Sequence, residues 1–141
     1  MPQDRQPRVY VLSAPRPNHF TGKQPDTRLL HAFGEVKYML PRGVMPEFKA
    51  EQSLNLLHEH LSKYDPDIDY IATVGGSYMG AILLGMVLRD LGHERMSFLR
   101  FDRAQKEDGT RSATEGFYVA VPVDFQEMLG ELHEHGSHAA E

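Results

Sequence analysis

The sequence predicts an α/β protein: a mostly parallel sheet flanked by helices, with a late β-hairpin at one edge and a C-terminal helix. In the middle of the chain, strand-like and helix-like segments alternate, which is typical of parallel strands joined by crossover helices. An Asp-Gly pair then favours a hairpin. The length of 141 residues and the 40% hydrophobic content fit a single domain, residues 1–141, that buries its own core.

Two strands and a long loop are predicted first. Arg8–Ser13 is rich in β-branched and aromatic residues, and Glu35–Leu40 alternates in polarity before Pro41. Between them, Ala14–Arg28 predicts an irregular loop, and long loops in compact domains are often functional. This loop holds a local basic run that could close over an anionic ligand, contact an acidic partner, or be a plain surface loop. Its basic residues are Arg16, His19, Lys23 and Arg28.

A first helix is predicted from Pro46, because proline suits the first position of a helix. Pro66 disfavours helical geometry in the residue before it, so the helix should end near Tyr64. Between these limits, apolar residues at helical spacing form one stripe for the core. They are Ala50, Leu54, Leu57, Leu61 and Tyr64.

The stretch after this helix predicts a buried strand, Tyr70–Val74, then a Gly-Gly-Ser turn and a second helix, Ser77–Leu91, ended by Gly92. The second helix is apolar nearly all round. Such a helix is expected to be buried on more than one side, against the sheet and a neighbour or in a subunit interface. We therefore expect a homo-oligomer.

The remaining elements are two strands and a helix. Arg95–Phe101 and Gly116–Val123 are predicted to be strands joined through the hairpin signal Asp108-Gly109.

The last helix should begin at Asp124, which can cap it, with Glu127 completing a capping box and Val123 packing on Met128. The tail beyond Leu132 is expected to fray, and frayed ends are predicted at residues 1–7 and 136–141.

Composition excludes some classes of protein. The formal charge of -5 argues against a general nucleic-acid binder. The chain has no cysteine, so it has neither a disulfide nor a cysteine metal site, which is compatible with a reducing cytoplasm. The N-terminus is polar, and the longest apolar run, Met79–Leu88, is far shorter than the roughly 20 residues of a membrane span. We expect a cytoplasmic protein with no membrane partner.

The most informative motif is the turn Gly75-Gly76-Ser77 between a predicted strand and a predicted helix. Glycines let the backbone approach an anion, and a helix N-terminus favours a phosphate or carboxylate. In open α/β sheets, ligands bind outside the carboxyl ends of strands, where this turn falls. The alternative is a tight turn whose glycines only allow close packing. The pattern is not a complete dinucleotide or phosphate-loop signature.

A second candidate cluster consists of Arg100, Asp102 and Arg103. If the strand ends near Phe101, both arginines can bend over the turn and bind a phosphate through their planar guanidinium groups. Asp102 stands about where a dinucleotide fold places an acidic residue. Alternatively, the arginines pair with Asp102 or Asp108 on the hairpin.

The eight histidines do not predict a metal site. His58 and His60 lie two apart on a helix and so face different directions. His133, His135 and His138 cluster in the tail, where solvated positions at a helix end explain them. No catalytic residue can be assigned from spacing.

The segment Asp69–Leu84 resembles the pyrophosphate-loop segment of type I phosphoribosyltransferases. Under this resemblance, Arg100 and Arg103 match the basic positions of that family, and Asp108-Gly109 matches its mobile hairpin. The family's signature is a strand that ends in two acidic residues before a ribose-phosphate loop. Here Tyr118–Asp124 ends in a single acidic residue and runs into a helix. The resemblance implies Mg²⁺ as a cofactor if the chain is such a transferase.

The residues together predict a small α/β protein that binds a phosphorylated small molecule or nucleotide, without catalysis. Gly75, Gly76 and Ser77 hold the phosphate in this interpretation, and Arg100 and Arg103 neutralise its charge. One alternative is a divergent phosphoribosyltransferase, which releases pyrophosphate from an activated ribose donor. The other is a structural or interaction subunit of a homo-oligomer or larger assembly.

Overall fold

A computed structural model describes residues 5–14, 28–74 and 76–139 of the chain. Within these ranges the strands are β1 (Arg8–Ser13), β2 (Glu35–Leu40), β3 (Tyr70–Ala72), β4 (Arg95–Gln105) and β5 (Arg111–Asp124). The helices are α1 (Ala50–Leu61), α2 (Tyr78–Asp90) and α3 (Phe125–Ala139), with a short 3-10 helix at Arg28–Ala32. The predicted loop lies outside the described residues except for its ends, Ala14 and Arg28.

The five strands form one sheet in the order β2-β1-β3-β4-β5. The first four strands run parallel, and β5 pairs antiparallel with β4. The predicted α/β class, the hairpin at one edge and the C-terminal helix are therefore confirmed.

The start of α1 differs from the prediction that Pro46 begins it. Phe48 N and Lys49 N both donate to Met45 O, at 3.0 and 2.8 Å, and close a separate turn there. The helix begins only at Ala50. Proline at the start of a tight turn resembles proline at the first helical position, because both need the same φ angle.

The second helix matches its prediction closely. Ser77 caps α2, and Gly92, at φ 76°, follows it in the left-handed region that favours glycine. Among the residues that the structure describes, α2 is buried along one side, through Leu83, Leu84, Val87 and Leu88. The predicted burial on more than one side is therefore not met within this described part of the chain.

The hairpin strands are longer than predicted. β4 continues past Phe101 to Gln105, and β5 begins at Arg111 rather than at Gly116. Polar residues dominate these extensions, so the hydrophobic pattern did not mark them. In the turn between the strands, Thr110 N and Thr110 Oγ1 donate to Asp108 Oδ1 at 2.9 and 2.6 Å.

Asp124 caps α3 as predicted, since its Oδ1 accepts from the backbone N–H groups of Gln126 and Glu127 at 3.0 and 3.2 Å. The helix continues to Ala139, through part of the tail beyond Leu132 in which fraying is expected. Fraying of the chain ends stays a prediction, and residues 1–4 and 140–141 lie outside the described part of the chain.

The core has two layers, one on each face of the sheet. On one face α1 and α2 pack against Tyr10, Leu12, Ile71 and Met96. On the other face Leu30 of the 3-10 helix packs with Val9, Val11, Ala72, Leu99 and Tyr118. Alternate residues of β1 thus serve opposite layers, as the two-residue period of a strand requires.

Asp69, the residue just before β3, has a buried carboxylate that joins three parts of the chain. Asp69 is 1% exposed. Arg5 donates to both of its oxygens, at 2.8 and 2.6 Å. The backbone N–H groups of Arg8 and Asp65 donate to it at 3.0 and 2.9 Å. The start of β1 is therefore tied to the start of β3 and to the chain that follows α1.

The surroundings of Asp69 also set its pKa. Burial raises the pKa, but the Arg5 guanidinium and the two backbone N–H groups outweigh it and hold the pKa below its usual value. Because the folded-state pKa is depressed, Asp69 stabilises the fold above its unfolded pKa of about 3.9. That stability is lost as the pH falls through the folded-state value.

We therefore expect Asp69→Asn to lower the free energy of unfolding by about 2–3 kcal/mol at neutral pH, because one charged acceptor of several hydrogen bonds is lost. Urea denaturation from pH 7 to pH 2 measures this, and the variant should lose less stability than the wild type on acidification. Asp90→Asn is the control, since the Asp90 side chain is 77% exposed. Equal stability and equal acid sensitivity of the two variants would contradict this role for Asp69.

Candidate functional site

At the carboxyl edge of the parallel strands, the connections that follow β1 and β3 lead to opposite faces of the sheet. The connection from β1 to β2 includes the 3-10 helix, whose Leu30 packs on one face. The connection that follows β3 is α2, which packs on the other face. β1 and β3 are neighbours in the sheet. A crevice between two such strands is where open α/β sheets bind ligands.

A pocket of about 200 Å³ lies at this point. Three parts of the chain line it: the end of β1 with the residue after it, the connection that follows β2, and the residues that precede α2. The lining residues are Ser13, Ala14, Pro41, Val44, Met45, Pro46, Glu47, Gly76 and Ser77. The predicted turn and the pocket therefore meet at Gly76 and Ser77. Gly75 lies outside the described residues.

The N-terminus of α2 forms one wall of this pocket. Ser77 adopts an extended conformation, and its Oγ accepts from the backbone N–H of Gly80 at 3.1 Å. This cap satisfies one of the first N–H groups of the helix, and the other groups of the first turn have no partner within the helix. The positive end of the helix dipole thus lies at the pocket.

Gly76 is needed for packing. Its N–H donates to Thr73 O at 3.0 Å. A Cβ added to Gly76 would collide with Cδ2 of Leu12 and lie 3.1 Å from Thr73 O. Leu12 is fully buried, so its side chain has no free space to move into. The close-packing alternative therefore accounts for Gly76, and a charged residue placed there would test packing and binding together.

The cluster of Arg100, Asp102 and Arg103 lies elsewhere. The expectation that the strand ends near Phe101 is wrong, because β4 continues to Gln105. In a continuous strand, residues 100 and 103 project from opposite faces. Arg100 Nε and Nη2 donate to Asp102 Oδ1 and Oδ2 at 2.9 and 3.0 Å, which is the ion pair of the alternative interpretation. None of the three residues is among the described residues that line the pocket.

Asp124 lies at the opposite edge of the sheet from the pocket. It is the single acidic residue at the end of the strand that was compared with the transferase signature. Because β5 is antiparallel, Asp124 pairs with Arg95 at the start of β4. Its carboxylate there caps α3. Asp124 is therefore not placed to bind a ligand beside Ser77.

The sequence interpretation missed several lining residues, above all Ser13 and Glu47. Ser13 is the last residue of β1, and Glu47 belongs to the connection between β2 and α1. Because the carboxyl ends of neighbouring parallel strands meet at one edge of a sheet, the proximity of Ser13 to the turn at Ser77 was predictable from the predicted strands alone. Glu47 could not be found in this way, because its place depends on the turn at Met45.

The chemistry of the pocket is unevenly distributed. Ser77 brings the N-terminus of α2 and a hydroxyl to the pocket, whereas Glu47 contributes an acidic group that accepts hydrogen bonds when ionised. Glu47 is the one ionisable side chain among the described lining residues. The N-terminus of α2 at Ser77 is suited to an anion, and the Glu47 carboxylate is suited to hydroxyl groups.

The described part of the chain contains neither a candidate metal cluster nor a candidate membrane-spanning helix. Residues 5–14, 28–74 and 76–139 contain no group of three or more His, Asp or Glu side chains that could hold a metal ion. Over the same residues, no helix has the length and apolar character needed to cross a membrane.

Comparison with known proteins gives a match to a protein family. The family model described as Phage Pam3 gp32-like protein matches residues 7–108, from the start of β1 to the turn of the β4–β5 hairpin. No curated protein matches the chain, and no solved structure matches it. The matched region covers most of the chain and includes the whole pocket, so the chain belongs to the phage Pam3 gp32-like family.

We expect Gly76→Ala to lower the free energy of unfolding by about 1–2 kcal/mol, because the new methyl group overpacks the Leu12 contact. Gly130→Ala is the matched control: Gly130 lies within α3, and a Cβ there meets nothing within 4 Å. This control should be neutral or more stable by up to about 1 kcal/mol, since alanine favours helix. Urea denaturation measures both, and equal stabilities would contradict the packing role of Gly76.

Proposed function

We propose that this member of the phage Pam3 gp32-like family binds a phosphorylated small molecule at the carboxyl edge of its sheet. The observation that carries the proposal is the pocket between the ends of β1 and β3, with the N-terminus of α2 as one wall. The description of the family names no ligand and no reaction. The proposal therefore depends on the chemistry of the pocket alone.

The phosphate is placed at Ser77 in this proposal. Because Ser77 Oγ accepts from Gly80 N, its own hydroxyl hydrogen remains available to donate to a phosphate oxygen. The hydroxyl of Ser13 offers a second donor in the same pocket. N–H groups at a helix N-terminus and hydroxyl donors are a recurrent phosphate-binding combination.

Glu47 indicates which phosphorylated molecules fit. A carboxylate repels a phosphate but accepts hydrogen bonds from sugar hydroxyls, so the ligand should carry hydroxyl groups away from its phosphate. The pocket of about 200 Å³ is smaller than the roughly 300–1,000 Å³ typical of sites for drug-sized ligands. A sugar phosphate therefore fits these residues better than a whole nucleotide.

Binding without catalysis is favoured over transfer chemistry. Glu47 has no second carboxylate beside it among the described lining residues. A divergent phosphoribosyltransferase remains the alternative, since β3, the turn and α2 have the strand–loop–helix order of that family's pyrophosphate segment. It would need Mg²⁺ and an activated ribose donor, and its pyrophosphate release would appear in a coupled assay. We also propose a cytoplasmic location, with which the lack of cysteine is compatible.

Substitution of Ser77 separates ligand binding from helix capping. Aspartate and asparagine are both good N-cap residues, so Ser77→Asp and Ser77→Asn should both preserve α2. We expect Ser77→Asp to weaken the binding of ribose 5-phosphate at least tenfold, because its charge repels the phosphate. Ser77→Asn should change it by less than about threefold.

A thermal-shift screen of sugar phosphates and nucleotides, followed by calorimetry on the best ligand, measures this effect. A ligand present at 100 times its dissociation constant stabilises the fold by about 2.7 kcal/mol. Equal affinity of the two Ser77 variants would contradict the proposed phosphate position. A flat screen would contradict the proposed function itself.

A second candidate function, assembly with other copies of the chain, is favoured by the outer face of α2. Tyr78, Ile82 and Met86 lie one turn apart and are 94%, 59% and 54% exposed. The sequence has no charged residue from Tyr78 to Leu88. Exposed Ala81 and Gly85 let another helix approach closely. An uncharged apolar face of this kind can pack on its own symmetry mate in a homo-oligomer.

We expect Ile82→Glu to convert the protein to a monomer, because it buries a charge between the two copies. Leu129→Glu is the control, since Leu129 is a 48% exposed apolar residue of α3, outside the proposed interface. Light scattering after size-exclusion chromatography measures the mass of each variant. A wild type that is monomeric at high concentration would contradict the assembly proposal.

A further inference from the structure

A second pocket, of about 150 Å³, lies on the α1 side of the sheet and is lined by Arg8, Tyr10, Lys37, His60 and Lys63. Arg8 and Tyr10 are two apart on β1, so they share one face. Lys37 of β2 pairs with Tyr10 in the parallel register and faces the same way. His60 lies in the last turn of α1, and Lys63 follows that helix. Three elements therefore bring basic side chains to one place.

Positive charge is in excess around this pocket. Arg8, Lys37 and Lys63 are cations in a chain whose formal charge is -5. Two acidic residues oppose this charge. Lys37 Nζ forms an ion pair with Glu35 at 2.8 Å, and the charge of Glu59 acts to raise the pKa of His60. The C-terminal end of a helix attracts cations and so accounts for His60 and Lys63. It does not account for Arg8 and Lys37, which lie on two strands.

Tyr10 gives this pocket a rigid floor. It is 2% exposed, and its phenol oxygen accepts from Arg8 Nη1 at 3.4 Å. Its ring meets those of His60 and Tyr64 edge to face, at centroid distances of 6.4 and 5.9 Å. The phenol hydrogen remains available as a donor, because the oxygen accepts in the bond with Arg8. The basic side chains therefore surround a fixed hydroxyl donor.

We infer that this pocket is a binding site for a phosphoryl-sized dianion, either free phosphate or the phosphate group of a monoester. The guanidinium of Arg8 and the ammonium groups of Lys37 and Lys63 bind the oxygens of the dianion. The Tyr10 hydroxyl donates a further hydrogen bond to one of these oxygens. The dianion also relieves the repulsion among the three cations. The small volume admits a single phosphoryl group. This inference does not depend on the pocket at Ser77.

His60 supplies a spectroscopic signal for the site. Burial lowers the pKa of His60, Lys63 and Lys37 lower it further, and Glu59 opposes them. A bound dianion raises this pKa, because it favours the charged imidazolium. Binding should therefore take up a proton and strengthen as the pH is lowered, because a protonated imidazole adds a positive charge to the pocket. Sulfate is a suitable probe because it stays a dianion across the pH range in which histidines titrate.

The test is calorimetric titration of the full chain with sulfate, inorganic phosphate and methyl phosphate, with the imidazole resonances of His60 followed by NMR. Carrying the Ser77→Asp change in every sample removes the proposed site at the other edge. We expect Lys37→Gln and Lys63→Gln each to weaken sulfate binding at least fivefold. Lys106→Gln at the exposed hairpin turn is the control and should leave it unchanged.

The outcomes distinguish a specific anion-binding site from nonspecific attraction of anions to positive charge. Saturable binding that depends on Lys37 and Lys63, with a raised pKa for His60, supports the inference. Preference for methyl phosphate over inorganic phosphate then assigns the site to a phosphorylated ligand, and equal affinity assigns it to the free anion. Binding that the Lys37 and Lys63 variants leave unchanged, or a His60 signal that does not move, overturns it.

Discussion

The hydrogen-bonded carboxylate of Asp69 is the interaction on which the arrangement of this sheet depends. It accepts from Arg5 and from the backbone of Arg8 and Asp65, and it is buried. Removing one partner from a buried charged network costs far more than losing an exposed ion pair. Asp69 therefore holds the starts of β1 and β3 together, and so fixes the two strands whose other ends frame the pocket at Ser77.

β1 connects the two candidate sites. Its last residue, Ser13, lines the pocket at the carboxyl edge, whereas Arg8 and Tyr10 line the basic pocket near its start. Between them Leu12 fills the space that the missing side chain of Gly76 leaves, and this contact positions the N-terminus of α2. A strand buried on both faces can place groups at both of its ends with little freedom, which is what a binding site requires.

Much of the fold was predictable because strong local signals agree with the tertiary structure. β1 and β2 have their predicted limits, and Ser77, Gly92 and Asp124 act at the helix ends as expected. Of the residues that line the pocket, Gly76 and Ser77 were predicted, and Ser13 was predictable from the parallel strands. Arg100 was assigned to the phosphate because β4 was expected to end early, and polar residues of a projecting hairpin carry no hydrophobic pattern. The basic pocket joins residues from positions 8 to 63, a proximity that no short motif encodes.

The measurement that tests the central proposal most directly is a map of backbone amide NMR shifts during titration with ribose 5-phosphate. Binding at the switch point between β1 and β3 should shift the amides of residues 13–14 and 76–79 most strongly, and these shifts should saturate together. The largest shifts should disappear in the Ser77→Asp variant. Saturating shifts confined to residues away from both segments, or no shifts at millimolar ligand, would contradict phosphate binding at the N-terminus of α2.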